Sequence, residues 1–280
     1  MVKYLVDKGI DINAVTKHGD TPLDYAIDNG SEIIIQYLKS KGAEITGDIE
    51  YTYEKITDNV FVFDFPGRPD SNVGLFLYSD GAILIDTGGG CRAAKAVSDF
   101  AKINYNKEVK YLINTHIDWD HKRGNAYFRD KLPIFDGLHL DEMVKKGIVT
   151  EVEHNFENNF ELILSRYYTM NLGNEEIIFF PIPGLHTPSC IFIYFRNANV
   201  AFTGDTISSG IPQRESETHE EYVERVTSRA KRFGAYHIAT LEMLDKTCSD
   251  NAICVPGHGN FYNIQSVKEY LAIAKDLDKK

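Results

Sequence analysis

The chain has 280 residues, 43% hydrophobic and 25% charged, with a formal net charge of −11. That length can bury a sizeable core and suits one large domain or two, while no apolar run reaches the 18 or more residues of a membrane span. The acidic balance repels polyanions and argues against nucleic acid and anionic membranes as partners.

The first 46 residues repeat themselves. YLVDKGIDI at 4–12 returns as YLKSKGAEI at 37–45, an offset of 33, and HGDTPLDYAIDNG (18–30) lies between. Thr21 is the expected N-cap of a helix, Pro22 its first residue and Gly30 its stop. The period of 33 with G-x-TPL-x-x-A resembles the ankyrin repeat, which implies a surface for a protein partner. One full repeat and the tail of another are present, whereas such arrays usually need about three for stability. The opening MVKYLVDKGIDIN lacks the long apolar stretch of a secretory signal. Cys91, Cys190, Cys248 and Cys254 show no CxxC spacing, so reduced thiols in a cytoplasmic protein are expected.

From about residue 50 the texture changes. TDNVFVFDF and SNVGLFLYSDGAILIDTGGG read as strands, with SDG (79–81) as a hairpin turn. Gly88, Gly89 and Gly90 lead as a tight turn into a helix over 91–104, without the spacing of a phosphate-binding loop. VKYLINTH and PIFDG are further strands and LHLDEMVKKG is a helix. EEIIFFPI, CIFIYF and NVAFTGD continue the strands, 216–247 is helical, NAICVPGHG is a last strand and loop, and 264–278 a closing helix. Hairpins mixed with helices, without strict βαβ alternation, predict an α+β fold, an αββα sandwich over 47–280 behind an all-α segment over 1–46.

Four loops that follow apolar strands carry metal-type residues. THIDWDHKRG (115–124) holds His116, Asp118, Asp120 and His121; PIPGLHTPS holds His186, AFTGDT Asp205 and VPGHGN His258. These are hard or borderline nitrogen and oxygen donors, suited to zinc, iron or manganese. A single histidine beside glycine is commonly an ordinary loop residue; four such loops together point to a metal centre.

The set resembles the metallo-β-lactamase superfamily, whose signature is His-x-His-x-Asp-His followed by single His, Asp and His ligands. LIDTG (84–88), GNAYF, HTP, FTGD and PGHG are similar to its other marks, so the resemblance covers residues 50 to 275. It implies two divalent ions: His116, Asp118 and His186 on the first, Asp120, His121 and His258 on the second, and Asp205 bridging. Zinc is the expected metal, with iron or manganese as alternatives, because Asp118 stands where most of the family has histidine. Two histidines with a carboxylate also describe non-haem iron sites, and the same change leaves a mononuclear enzyme open.

The implied activity is a metal-dependent hydrolase acting on a small ester, thioester, lactone or phosphodiester through a metal-bridging hydroxide. Asp120 is the implied catalytic residue, orienting the attacking oxygen and shuttling its proton. β-Lactam cleavage normally comes with a secretory signal, and nuclease relatives with a further domain and a basic groove, so neither is expected. An iron-dependent oxidoreductase and an ankyrin-type adaptor with a structural metal are the alternatives. Trp119 is expected to pack as core. Lys122 and Arg123 read either as contacts to an anionic substrate or as an exposed salt-bridged face. Tyr222, His219 and His237 lie where the family often places substrate contacts, and Cys190 reads as buried packing. The segments 149–161 and 207–218 are expected to wall the pocket.

Overall fold

The helices of the N-terminal segment form where the repeat places them: α1 (Val2–Asp7), α2 (Pro22–Asp28) and α3 (Glu32–Ser40). Thr21 caps α2 as expected. Its hydroxyl accepts from the Asp24 N–H at 3.2 Å, and the Asp24 carboxylate accepts from the Thr21 N–H at 2.8 Å, so two orphan donors of the helix start are satisfied reciprocally. In this computed structural model the described residues are 1–16, 20–45, 49–66, 71–129, 131–153, 166–207 and 210–276. They divide into two compact units, Met1–Asn114 with Asp118–Ile134, and Thr115–Ile117 with Phe135–Lys280. The helical segment belongs to the first unit, so this division does not follow the 46/47 boundary.

The rest of the first unit is built on β1 (Thr52–Lys55), β2 (Val60–Asp64), β3 (Val73–Tyr78), β4 (Gly81–Ile85), α4 (Cys91–Tyr105), β5 (Val109–Ile113) and the one-turn helix α5 (Trp119–Lys122). A 3₁₀ segment, Arg123–Phe128, follows α5 directly. β3 and β4 pair antiparallel around the expected Ser79-Asp80 turn. β4 and β5 pair parallel through the α4 crossover. A six-stranded sheet runs in the order β1-β2-β3-β4-β5-β6, its last strand β6 (Ile134–Phe135). Phe61, Phe63, Leu75 and Leu84 of this sheet pack with Ala93, Val97 and Phe100 of α4 in one buried cluster. A second cluster joins Leu23, Ile27, Ile35 and Leu38 of the repeat helices to Cys91 of α4, with Ala126 and Tyr127 packed against it.

The second unit contains α6 (Leu140–Lys145), β7 (Thr150–Glu153), β8 (Arg166–Leu172), β9 (Glu175–Pro181), β10 (Ile191–Phe195), β11 (Val200–Gly204), α7 (His219–Thr247), β12 (Ile253–Pro256), β13 (Tyr262–Asn263) and α8 (Ile264–Asp276). Its seven strands lie in the order β13-β12-β11-β10-β9-β8-β7. Ile178, Phe180, Phe192 and Tyr194 of the sheet share a core with Leu241 and Leu244 of α7 and with Val267 and Leu271 of α8. The α+β class read from the sequence is therefore borne out. α7 is longer than an ordinary helix because two helices meet at Gly234, whose backbone is not helical. Among the described residues no helix is long and apolar enough to cross a membrane. All four cysteines are buried.

Candidate metal centre

The direction of three strands brings one group of candidate ligands together. β10 is antiparallel to β9 and to β11, and β12 is parallel to β11. β9, β11 and β12 therefore end at the same edge of the second sheet, where loops after strands converge on ligands. His186 follows β9, Asp205 follows β11 and His258 follows β12. The Gly257 N–H donates to the Gly204 carbonyl at 3.0 Å and levels the last two loops. His116 arrives on the short piece Thr115–Ile117. The Ile191 N–H donates to the Thr115 carbonyl at 2.9 Å, and the Ile117 N–H donates to Ser189 Oγ at 2.9 Å. The approach is close enough to require glycine at position 204: φ is 53°, and an added Cβ would lie 2.9 Å from Thr115 Cβ.

Three imidazoles face one carboxylate oxygen. The Nε2 atoms of His258, His186 and His116 lie 3.4, 3.7 and 3.8 Å from Asp205 Oδ2. His116, His186 and Asp205 offer donor atoms that all lie within 4.8 Å of one another. These separations exceed the roughly 2.7–2.9 Å of a charge-assisted hydrogen bond. They approach the spacing of about 3.3 Å between donors that share one tetrahedral ion with bonds of about 2.0–2.1 Å. Nitrogen and carboxylate donors with no thiolate suit zinc, iron or manganese. The residues thus fit a divalent metal. Thr115 Oγ1 lies 3.1 Å from His116 Nδ1, and an Nδ1–H donated there leaves the Nε2 lone pair for the ion. His116 is fully buried, whereas the His186 and His258 side chains are about one-third exposed. The group is anchored on one side and accessible on the other.

The first unit carries Asp120 and His121 on α5. His121 is buried, and its Nδ1 lies 2.9 Å from Asp86 Oδ2. An Nδ1–H donated to that carboxylate fixes the tautomer and leaves the Nε2 lone pair, 3.7 Å from Asp120 Oδ2, able to take an ion. Asp86 itself comes from the end of β4 in a left-handed conformation (φ 58°). Asn114, at the end of β5, donates through Nδ2 to the His121 carbonyl at 3.2 Å. The Thr87 N–H donates to the same carbonyl at 2.7 Å, and Ser71 Oγ donates to the Asp120 carbonyl at 2.6 Å. The backbone carbonyls of Asp120 and His121 are therefore both held by neighbouring loops.

Asp118 is half-buried and directly precedes α5 in the first unit. In the second unit it is Asp205 that joins His116 and His186. Two residues escape assignment from the sequence: Thr115, which orients His116, and Asp86, whose only signal is its place in LIDTG. Asp86→Asn keeps a residue that tolerates the left-handed backbone but removes the charge behind His121. We expect it to weaken zinc binding about tenfold in competition with a chromophoric chelator; unchanged affinity would remove Asp86 from the centre.

Several expectations are corrected. Trp119 is 54% exposed and is not core. Arg123 is neither a substrate contact nor an exposed face, because it is buried against Asp20 at 2.9 Å; Lys122 is exposed. Tyr222 is buried and donates its hydroxyl to the Ile211 carbonyl at 3.0 Å, a structural role. His237 is buried, and burial together with Arg229 pushes it down to about 4, so it stays neutral at pH 7. His219 is exposed at the start of α7. Cys190 packs as expected, its sulfur accepting from the Thr187 N–H at 3.3 Å. Residues 154–161 of the acidic segment and 208–209 of the other wall lie outside the described residues.

Comparison with known proteins bears on the fold. Residues 66–147 match the family model for the metallo-beta-lactamase superfamily, and residues 1–48 match that for ankyrin repeats (3 copies). A hydroxyacylglutathione hydrolase of Pelagibacter ubique is 29% identical over 104 residues, 37% of this chain and 38% of that protein. The match thus spans less than two-fifths of that relative's length. A metallo-β-lactamase from Erythrobacter litoralis, solved with β-mercaptoethanol in the active site, aligns with a TM-score of 0.51 at 17% identity, covering 81% of this chain and 97% of that one. The metallo-β-lactamase FIM-1 of Pseudomonas aeruginosa in its mono-zinc form aligns with a TM-score of 0.50 at 16% identity, over 85% of this chain and 100% of that one. At such identities the likeness is one of fold. Two family models thus match parts of the chain, that for ankyrin repeats over residues 1–48 and that for the metallo-beta-lactamase superfamily over residues 66–147.

Proposed function

We propose that the protein is a metal-dependent hydrolase of a small ester, thioester, lactone or phosphodiester. The observation that carries this reading is the convergence of three imidazole Nε2 atoms on Asp205 Oδ2. In the full reading His116, Asp118 and His186 hold one ion, Asp120, His121 and His258 a second, and Asp205 serves both; its support is the spacing of the motif. Bound divalent ions supply an acidified water and polarise the carbonyl or phosphoryl oxygen under attack. The chain's own part is positional. Asp86 and Thr115 hold the His121 and His116 rings with Nε2 presented, and Asp120 is the carboxylate assigned to accept the proton of the attacking water. The curated relative is by its name a hydroxyacylglutathione hydrolase, so an acyl thioester goes first into the substrate panel.

A second reading, an iron-dependent oxidoreductase, is favoured by one observation: His116, His186 and Asp205 form a two-histidine, one-carboxylate set. Metal analysis of protein purified without added metal separates the two, with Asp118→His alongside. Two zinc or manganese ions per chain with thioester or phosphodiester turnover are the expected result. Stoichiometric iron without hydrolysis would transfer the proposal to redox chemistry. A folded protein that binds no metal would end both readings.

A further inference from the structure

A buried cation ties the helical repeat segment to the ligand-bearing turn. Arg123 Nη2 lies 2.9 Å from Asp20 Oδ2, and the two side chains are 3% and 2% exposed. The guanidinium also stacks on two rings, 5.3 Å from the centroid of Tyr25 in α2 and 4.7 Å from that of Trp119 in α5. Arg129 adds a bond from Nη2 to the Ile27 carbonyl at 3.4 Å. Trp119 opens the same short helix that carries Asp120 and His121, and Arg123 opens the 3₁₀ segment behind it. A four-residue helix has too few internal hydrogen bonds to hold its own position. Its placement depends on what grips its two ends. Thr87, Asn114 and Ser71 grip its backbone, and the Asp20–Arg123 pair grips it from the repeat side.

We propose that Arg123 is a positioning residue through which Asp20 of the repeat segment holds Asp120 and His121 in ligating geometry. The inference rests on the metal-centre reading above. A repeat segment that merely docked would contribute stability alone. A repeat segment that positions the turn sets metal affinity as well, and a protein that grasps α2 reaches the metal centre by way of the Asp20–Arg123 pair.

The test uses the full chain and Trp119, the only tryptophan, as its reporter. Asp20→Asn removes the carboxylate charge that faces the buried guanidinium, whereas Asp20→Leu with Arg123→Met removes both charges and leaves apolar groups of similar size. The double variant is expected to regain stability lost by Asp20→Asn, yet both variants are expected to bind Zn²⁺ about tenfold more weakly, the scale for lost outer-shell support. Both should also shift Trp119 emission in the metal-free protein. Lys55→Ala, which breaks an exposed pair with Asp58, should change neither readout. If Asp20→Asn fails to fold, the double variant carries the same two readouts. Wild-type emission with zinc affinity within twofold of wild type, in a folded variant, would overturn the proposal. A wild-type chain that binds no zinc would instead remove the metal reading, leaving Trp119 emission to show whether Arg123 positions the turn.

Discussion

Asp205→Ala is expected to empty the metal centre and lower hydrolysis by on the order of 10³-fold or more, a small part of the acceleration typical of enzymes. The reason is charge. Asp205 Oδ2 is the atom that the Nε2 atoms of His116, His186 and His258 face at 3.4–3.8 Å. In the proposed reading its loss leaves each ion two imidazoles and a single carboxylate, and removes the negative charge that the two ions share. The side chain is 20% exposed, so its truncation opens no closed cavity and folding should survive, as circular dichroism can show. Asp205→Asn keeps the shape and loses the charge, and is expected to fall between alanine and wild type in metal content. Metal stoichiometry and turnover measured on the same preparations decide the matter. An alanine variant with the wild-type metal content and rate would show that the convergence is ordinary packing of loop residues, and the proposed function would fall with it.

The features legible in the amino-acid sequence are local ones. The capping box at Thr21 and Asp24, the hairpin between β3 and β4 and the strand ends that carry the candidate ligand loops follow from neighbouring residues, whose propensities and turn chemistry act within a few positions. The misread residues depend on partners far along the chain. Nothing in HIDWDHKRG indicates that Arg123 meets Asp20 about a hundred residues away, so an arginine after a lysine reads as surface. With Arg123 buried, Trp119 is left outside as a lid on the guanidinium, the reverse of what hydrophobicity suggests. Asp86 is equally hidden in the sequence. Its role arises because β4 and β5 are parallel neighbours, which brings the end of one strand beside the turn that follows the other. Tyr222 and His237 read as candidate substrate contacts because they lie in a segment where the resembled family often places such groups. The helix face that buries them makes them structural.

Gly124→Ala is expected to be among the most damaging small substitutions in the chain. A Cβ at this position would lie 2.6 Å from the Gly90 carbonyl oxygen, 2.8 Å from Thr87 Cβ and 2.9 Å from Ala94 Cβ. All three distances are below any ordinary contact, and the shortest is to backbone, so no side-chain rotation relieves it. Overpacking of this kind costs typically 1–3 kcal/mol, and the upper end, about 3 kcal/mol, applies where backbone must move. For a chain of this size that corresponds to a fall in Tm of roughly 6–12 °C. The displacement also propagates chemically: the Gly124 N–H donates to Thr87 Oγ1 at 2.9 Å, and Thr87 in turn holds the His121 carbonyl. Pushing the 3₁₀ segment away from α4 therefore loosens the turn that presents His121, so zinc affinity should fall together with Tm. Ala94→Gly in the same chain removes the third contact and leaves the backbone clash. It is expected to restore little. Thermal melts of the single and double variants, with zinc titrations beside them, test the argument. A Gly124→Ala protein that melts within about 1 °C of wild type would mean that the loops after β4 and α5 are not packed as closely as the structure has them.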